Sequence, residues 1–231
     1  MKLGVVIFAD RYTWYLFPRA SNRLYGYHYQ NNQSFESELL PRGSYVAKED
    51  GVYGLFLPAG ERVTLGNFSS GCLGIPGICE NFTVSFLFKI NGSIPENETV
   101  DVIHQRPVMN AGYRVQFSVF QNTTQRLMPL VIDSHYTAVA TIARGNKSAE
   151  VTGVISVTGD WIHVAIVYVG PHYLKLYLNG TNGGSNASSV AYSGSATHVS
   201  MTLGSPNNSN AVLVSFQIGR ASCRERVYVL V

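Results

Sequence analysis

The sequence predicts an all-β fold, an antiparallel two-sheet jelly-roll sandwich, on three observations. Short runs rich in Val, Ile, Phe, Tyr and Thr alternate apolar and polar residues with a period of two. Gly, Pro, Asn and Ser separate these runs, as turn residues do. No window of about a dozen residues keeps a 3.6-residue apolar period free of breakers, so helices do not connect the strands.

Residues 13–17, 52–57 and 62–65 open the series of expected strands. Residues 82–90 carry the clearest pattern: Phe82, Val84, Phe86, Phe88 and Ile90 form one face, and Thr83, Ser85, Leu87 and Lys89 form the other. Residues 101–104, 113–120, 130–133, 138–143 and 151–157 follow. Residues 161–169 and 174–178 come next; Leu174, Leu176 and Leu178 alternate with Lys175 and Tyr177. Asn179-Gly180 then supplies the positive φ angles of a type I′ turn. Residues 179–189, rich in Gly, Ser and Asn, are expected as a long surface loop. Residues 189–192, 199–203 and 212–216 complete the strands, and one helical turn is placed near 34–40. Trp14 and Trp161 are expected in the core.

The chain of 231 residues suits one such sandwich. Its 45% hydrophobic residues are enough for a sizeable core. Charged residues make up only 13%, against about 25% in ordinary domains, so hydroxyl, amide and attached sugar must help to solvate the surface. The formal charge of +3 is inflated by the end of the chain. Residues 218–227 (IGRASCRERV) resemble one translated frame of a common DNA-sequencing adapter, so residues 218–231 are set aside as a non-native tail. Without Arg220, Arg224, Arg226 and Glu225 the balance of 17 bases to 14 acids becomes 14 to 13, a net +1. That balance gives no reason to expect nucleic acid as a partner.

Ten Asn-x-Ser/Thr sequons begin at Asn32, Asn67, Asn81, Asn91, Asn97, Asn122, Asn146, Asn179, Asn186 and Asn207. Random placement of the asparagines would give roughly two or three, so the excess points to a secreted glycoprotein or the extracellular face of a membrane protein. With Cys223 set aside, Cys72 and Cys79 remain. They enclose a short loop containing Gly74, Pro76 and Gly77, and in an oxidising compartment a disulfide is expected. Residues 1–10 are of unclear status: Met1-Lys2 and the apolar run that follows have the form of a truncated signal peptide without a clear cleavage site. No stretch of about 20 apolar residues is present, so no membrane span is expected in this chain.

Three matches carry a family resemblance. Trp161-Ile-His163-Val164-Ala165, followed by Leu174-Lys-Leu176-Tyr177-Leu-Asn179-Gly180, resembles the central hairpin of laminin-G-like and pentraxin-like domains. Cys72-Leu-Gly-Ile-Pro76-Gly-Ile-Cys79 before Phe82-Thr-Val-Ser-Phe86 resembles the cysteine segment and strand that precede it in many animal ectodomains. Trp14 to Pro18 and Leu24-Tyr25-Gly26 are similar to the family's first strand and loop. The resemblance covers residues 11–217 as one domain and implies a concanavalin A-like sandwich. Two departures stand out: Leu87 occupies a position where the family usually has Trp, and the family's last strand, due after Asn210, runs into the set-aside tail, so the native C-terminal strand is expected to be missing.

Members of that group include calcium-dependent lectins, receptor-binding modules and glycoside hydrolases, and each needs its own residues. A retaining glucanase needs carboxylates about 5–5.5 Å apart, and no E-x-D-x-E or E-x-D-x-x-E run occurs. Glu36 and Glu38 are expected in a polar loop. Catalytic residues are therefore assigned nowhere, and the chain is expected not to be an enzyme. Asp133 with Asn122 and backbone carbonyls is the one candidate calcium arrangement, too thin for metal residues to be assigned; no other cofactor is expected. His163 is expected to be a packed or edge histidine. Arg106, Arg114, Arg126 and Arg144 are spread over separate segments and count as ordinary surface residues unless the fold gathers them. The resemblance implies an extracellular recognition or adhesion module, lectin-like in character, that binds a protein or glycan within a matrix protein or receptor ectodomain. The alternative is a structural component of an extracellular or mineralised matrix, and a degenerate enzyme of the glucanase clan ranks third.

Overall fold

The computed structural model describes residues 12–15, 23–28, 33–50, 52–67, 81–96, 98–107, 114–127, 130–144, 147–155, 159–170, 172–187, 190, 199–208 and 211–219. In chain order the strands are β1 (Tyr12–Tyr15), β2 (Arg23–His28), β3 (Gln33–Leu39), β4 (Tyr45–Glu49), β5 (Val52–Leu57), β6 (Arg62–Asn67), β7 (Asn81–Asn91) and β8 (Thr99–Pro107). They continue with β9 (Arg114–Leu127), β10 (Leu130–Arg144), β11 (Lys147–Ile155), β12 (Ile162–Val169), β13 (Tyr173–Leu178), β14 (Thr181–Ala187), β15 (Val199–Gly204) and β16 (Ala211–Gly219). Every strand pairing within the sheets is antiparallel, and no helix occurs among the described residues.

A six-stranded sheet, ordered β11-β10-β9-β8-β15-β6, faces a seven-stranded sheet, ordered β14-β13-β12-β7-β16-β5-β4. A small sheet, β1-β2-β3, runs beside β6 and β16. The period-two patterns create the two layers. Phe82, Val84, Phe86, Phe88 and Ile90 of β7 are all buried, as are Ile162, Val164, Ile166 and Tyr168 of β12 and Leu174, Leu176 and Leu178 of β13. Val115, Phe117 and Val119 of β9 and Ala138, Ala140 and Ile142 of β10 meet them from the other sheet. Phe117 is the clearest bridge: its ring lies edge-on to Phe86 at 5.1 Å and to Phe88 at 5.4 Å. Each such fully buried ring stabilises the sandwich by about 1.5–3 kcal/mol.

The edge formed by β14 and β11 is closed by backbone-to-backbone approach. A Cβ on Gly184 would lie 2.4 Å from the carbonyl oxygen of Thr152, and one on Gly153 would lie 3.3 Å from the Cα of Gly183. This explains why residues 181–187 form a strand in place of the expected loop. Gly and Asn are poor strand formers, but here the missing side chains let the sheet edges touch, and ladder bonds to β13 hold the segment. The Asn179-Gly180 turn before it has φ of 49° and 77°, as a type I′ turn requires.

Several other expectations change. Residues 33–39 are strand β3, not a helical turn, and Glu36 and Glu38 lie on it. Residues 130–133 and 138–143 belong to one long strand, β10, because β9 pairs along its whole length. Beyond the pairs Thr99–Phe120 and Tyr136–Ile155, β9 and β10 continue as a two-stranded ribbon, touched by a bridge between Glu96 and Gln121. The expected strand 212–216 is part of β16, which lies between β7 and β5, and Ile218 and Gly219 extend it by pairing with Val84 and Thr83. Expected strand 189–192 lies outside the described residues except for Val190, which is buried outside any strand.

Candidate recognition face

The alternation that buries one side of the seven-stranded sheet leaves the other side to solvent. On β7 that side carries Thr83, Ser85, Leu87 and Lys89, all partly exposed. On β12 and β13 it carries His163, Val167, Tyr173, Lys175 and Tyr177, also partly exposed. The register aligns them in rows: Thr83–Val167–Lys175, then Ser85–Ala165–Tyr177, with Leu87 opposite His163. A further row runs from Lys89 through Leu213 and Phe56 to Tyr45. Tyr45 is 54% exposed and stacks on Phe56 with ring centroids 4.7 Å apart. Lys175 Nζ lies 4.5 Å above the Tyr173 ring. The face is therefore a mixture of aromatic rings, aliphatic side chains and a few fixed charges, with the composition of a contact surface.

Trp161 belongs to this face and not to the core. It precedes Ile162, whose side chain points inward, so its own indole lies on the outer side of the sheet. The indole rests on Gly54 of β5, where a Cβ would lie 2.6 Å from Cη2, and its Nε1–H donates to the carbonyl of Glu49 at 3.0 Å. One tryptophan thus straps the end of β12 to β4 and β5 across the intervening strands. Trp14 lies on β1, and its surroundings are outside the described residues.

Two polar features sit beside the indole. Lys89 donates to Glu49 Oε1 at 2.8 Å and to Asp50 Oδ2 at 3.5 Å. The bond to Glu49 is the main cause that raises the ammonium pKa above its usual value, against an opposing pull from burial. As a pair with one partner well exposed, it contributes about 0–1 kcal/mol. His163 Nε2 lies 2.8 Å from Ser85 Oγ, and burial lowers its pKa below 6.5, so the ring is neutral at pH 7. The His163 backbone N–H donates to Asn179 Oδ1 at 2.8 Å, and its carbonyl accepts from the Asn179 N–H at 2.8 Å. These two bonds dock the β13–β14 turn, Asn179-Gly180, onto β12. Val164, Leu174 and Leu176 are core, Ala165 is buried beneath the face, and Tyr177 is on it.

The Ser85–His163 bond joins residues 78 positions apart, so only the register of β7 with β12 reveals it. Among the described residues no carboxylate bonds the other ring nitrogen, and nothing there completes a catalytic triad. No group of three His, Cys, Asp or Glu among the described residues could hold a metal ion. Asp133 and Asn122 lie on the two strands of the β9–β10 ribbon, opposite Thr124 and His135. Three of the four arginines do fall at one end of the six-stranded sheet: Arg106 opposite Ser200, Arg114 opposite Ala143, and Arg144 opposite Lys147. Arg126 is on the ribbon at the other end. Cys72 and Cys79 lie outside the described residues, as do Asn32, Asn97 and Asn146. Asn67, Asn81 and Asn91 stand at strand ends, Asn122 on the ribbon, Asn179 and Asn207 in turns and Asn186 on edge strand β14.

No family model and no curated protein matches the chain. Solved structures do match in fold. The receptor binding domain of botulinum neurotoxin D is 16% identical with a TM-score of 0.57, over 84% of this chain and 48% of that one. The binding domain of botulinum neurotoxin serotype G is 12% identical with a TM-score of 0.56, over 84% and 47%. The binding domain of botulinum neurotoxin DC in complex with SialylT is 13% identical with a TM-score of 0.53, over 84% and 46%. The chain thus spans about half the length of these binding domains, and at such identities the likeness is one of fold.

Proposed function

We propose that this chain is an extracellular, N-glycosylated recognition or adhesion module of laminin-G-like type, within a larger matrix protein or receptor ectodomain. It engages a protein or glycan through the outer face of the seven-stranded sheet. The observation that carries the reading is that face itself: a surface holding Tyr45, Phe56, Trp161, Tyr177 and Tyr173, with the described sequons of that sheet at the ends of β7 (Asn81, Asn91) and along its β13–β14 edge (Asn179, Asn186). Aromatic rings supply large contact areas at little entropic loss, and protein and sugar partners both use them. The solved structures of similar fold are binding domains, which supports a binding role in general. Residues Ser85 and His163 position the hairpin in this reading and carry out no reaction.

The test is the secreted 231-residue chain applied to a glycan array and to an array of extracellular domains. Saturable binding to a restricted set supports the module. Silence on both arrays refutes it and favours the alternative, a matrix component that spaces and solvates its neighbours.

A further inference from the structure

We infer that the sequon asparagines have different roles: Asn179 and Asn207 carry N-linked sugar, whereas Asn186 is a strut that holds the β14–β11 edge. This rests on the extracellular reading above. In the modification, Asn Nδ2 forms a bond to C1 of a sugar carried on a lipid diphosphate. The C1–O bond breaks, the diphosphate leaves with that electron pair, and the amide gives up one of its two protons. The modified nitrogen keeps one hydrogen and gains a bulky substituent. An acceptor that survives in the folded protein therefore needs an Nδ2 with no structural duty and open space beside it.

Asn179 meets both conditions. It is exposed in the type I′ turn, and its bond to the His163 N–H uses Oδ1, so the nitrogen side of the amide is free for sugar. Asn207 is presented by its neighbour. Asn208 is buried at 5% exposure and pairs with the backbone of Asp101 on both sides of its amide, accepting from N–H at 2.9 Å and donating to the carbonyl at 2.8 Å. That clamp fixes the turn, and Asn207 stands exposed on it with only its backbone N–H bonded, to Ser205 Oγ at 3.3 Å. Asn186 is different. Its Nδ2 donates to the Glu150 carbonyl on β11 at 2.8 Å, across the edge where Gly184 lacks room even for a Cβ. Sugar on that nitrogen would replace one hydrogen of the strut and put bulk into the seam.

The test has two parts. The full chain is secreted from a glycosylating host, its N-glycans are released enzymatically in heavy-oxygen water, and the labelled asparagines are counted by peptide mass spectrometry. Asn179 and Asn207 are expected to be occupied in most molecules and Asn186 in a minority. Equal occupancy of Asn186, or bare Asn179 and Asn207 beside other occupied sequons, overturns the inference alone. No sugar at any of the ten sequons overturns the extracellular reading with it. In unglycosylated protein, Asn186→Gln is expected to lower the unfolding midpoint by about 2–4 °C and Asn207→Gln to leave it in place. An unmoved midpoint for Asn186→Gln removes the strut.

Discussion

Gly54→Ala is a sensitive probe of where Trp161 lies. The added Cβ would stand 2.6 Å from the indole Cη2, with Cζ2 and Cζ3 at 3.4 and 3.5 Å. Carbon atoms rest at about 3.5–4 Å, so the ring must retreat by about 1 Å. The ring cannot swing freely, because its Nε1–H is bonded to the Glu49 carbonyl at 3.0 Å. Overpacking of this kind costs about 1–3 kcal/mol. In a Trp161→Ala background the clash is gone, and alanine gains about 0.5–1 kcal/mol over glycine by restricting the unfolded chain. The two backgrounds should therefore differ by about 1.5–4 kcal/mol, a coupling in the upper part of the range for residues in contact or above it. Urea unfolding of the four proteins in the cycle, with equal m-values, measures it. If Gly54→Ala has the same effect with and without the indole, Trp161 does not lie over β5 and the strap across the face is wrong.

Phe117→Ala should cost about 3–5 kcal/mol, because its ring fills the junction with Phe86 and Phe88; Val154→Ala, at a residue 64% exposed, should stay within about 0.5 kcal/mol in the same melts. Asn208→Ala should cost about 2–4 kcal/mol in urea unfolding, since it strands the N–H and the carbonyl of Asp101 together. His163 should make stability depend on pH. Its folded pKa is below 6.5, so the unfolded chain binds the proton first; stability is greatest above 6.5 and declines as pH falls from there through the lowered folded value. A midpoint series across that window should flatten in His163→Gln, and an unchanged slope would remove histidine burial as its cause.

The layers are legible in the sequence because alternation is a local signal. Phe82 through Ile90, and Leu174 through Leu178, announce their buried sides without any knowledge of partners, and Phe82, Val84, Phe86, Phe88, Ile90, Leu174, Leu176 and Leu178 are all buried. Asn179-Gly180 is legible for a similar reason, since two positive φ angles restrict the choice of residue. β14 is not legible: Thr181–Ala187 reads as a loop, and only the approach of β11 gives its glycines a purpose. Trp161 reads as core because a large apolar side chain suggests one, while the glycine that makes its bed lies on a strand more distant in sequence than spacing can report. The Ser85–His163 bond, the Asn208 clamp and the gathering of Arg106, Arg114 and Arg144 at one sheet end all depend on register between distant strands, which composition and spacing do not encode.

The claim that recognition uses the outer face of the seven-stranded sheet is tested most directly by a matched pair of substitutions. Tyr177→Glu places a charge on that face, and Thr141→Glu places one on the outer face of the opposite sheet, both at partly exposed positions. With unfolding midpoints matched, the arrays that report binding by the parent chain should show at least a roughly tenfold loss for Tyr177→Glu, about 1.4 kcal/mol, and unchanged binding for Thr141→Glu. Binding lost in Thr141→Glu and retained in Tyr177→Glu would contradict the account.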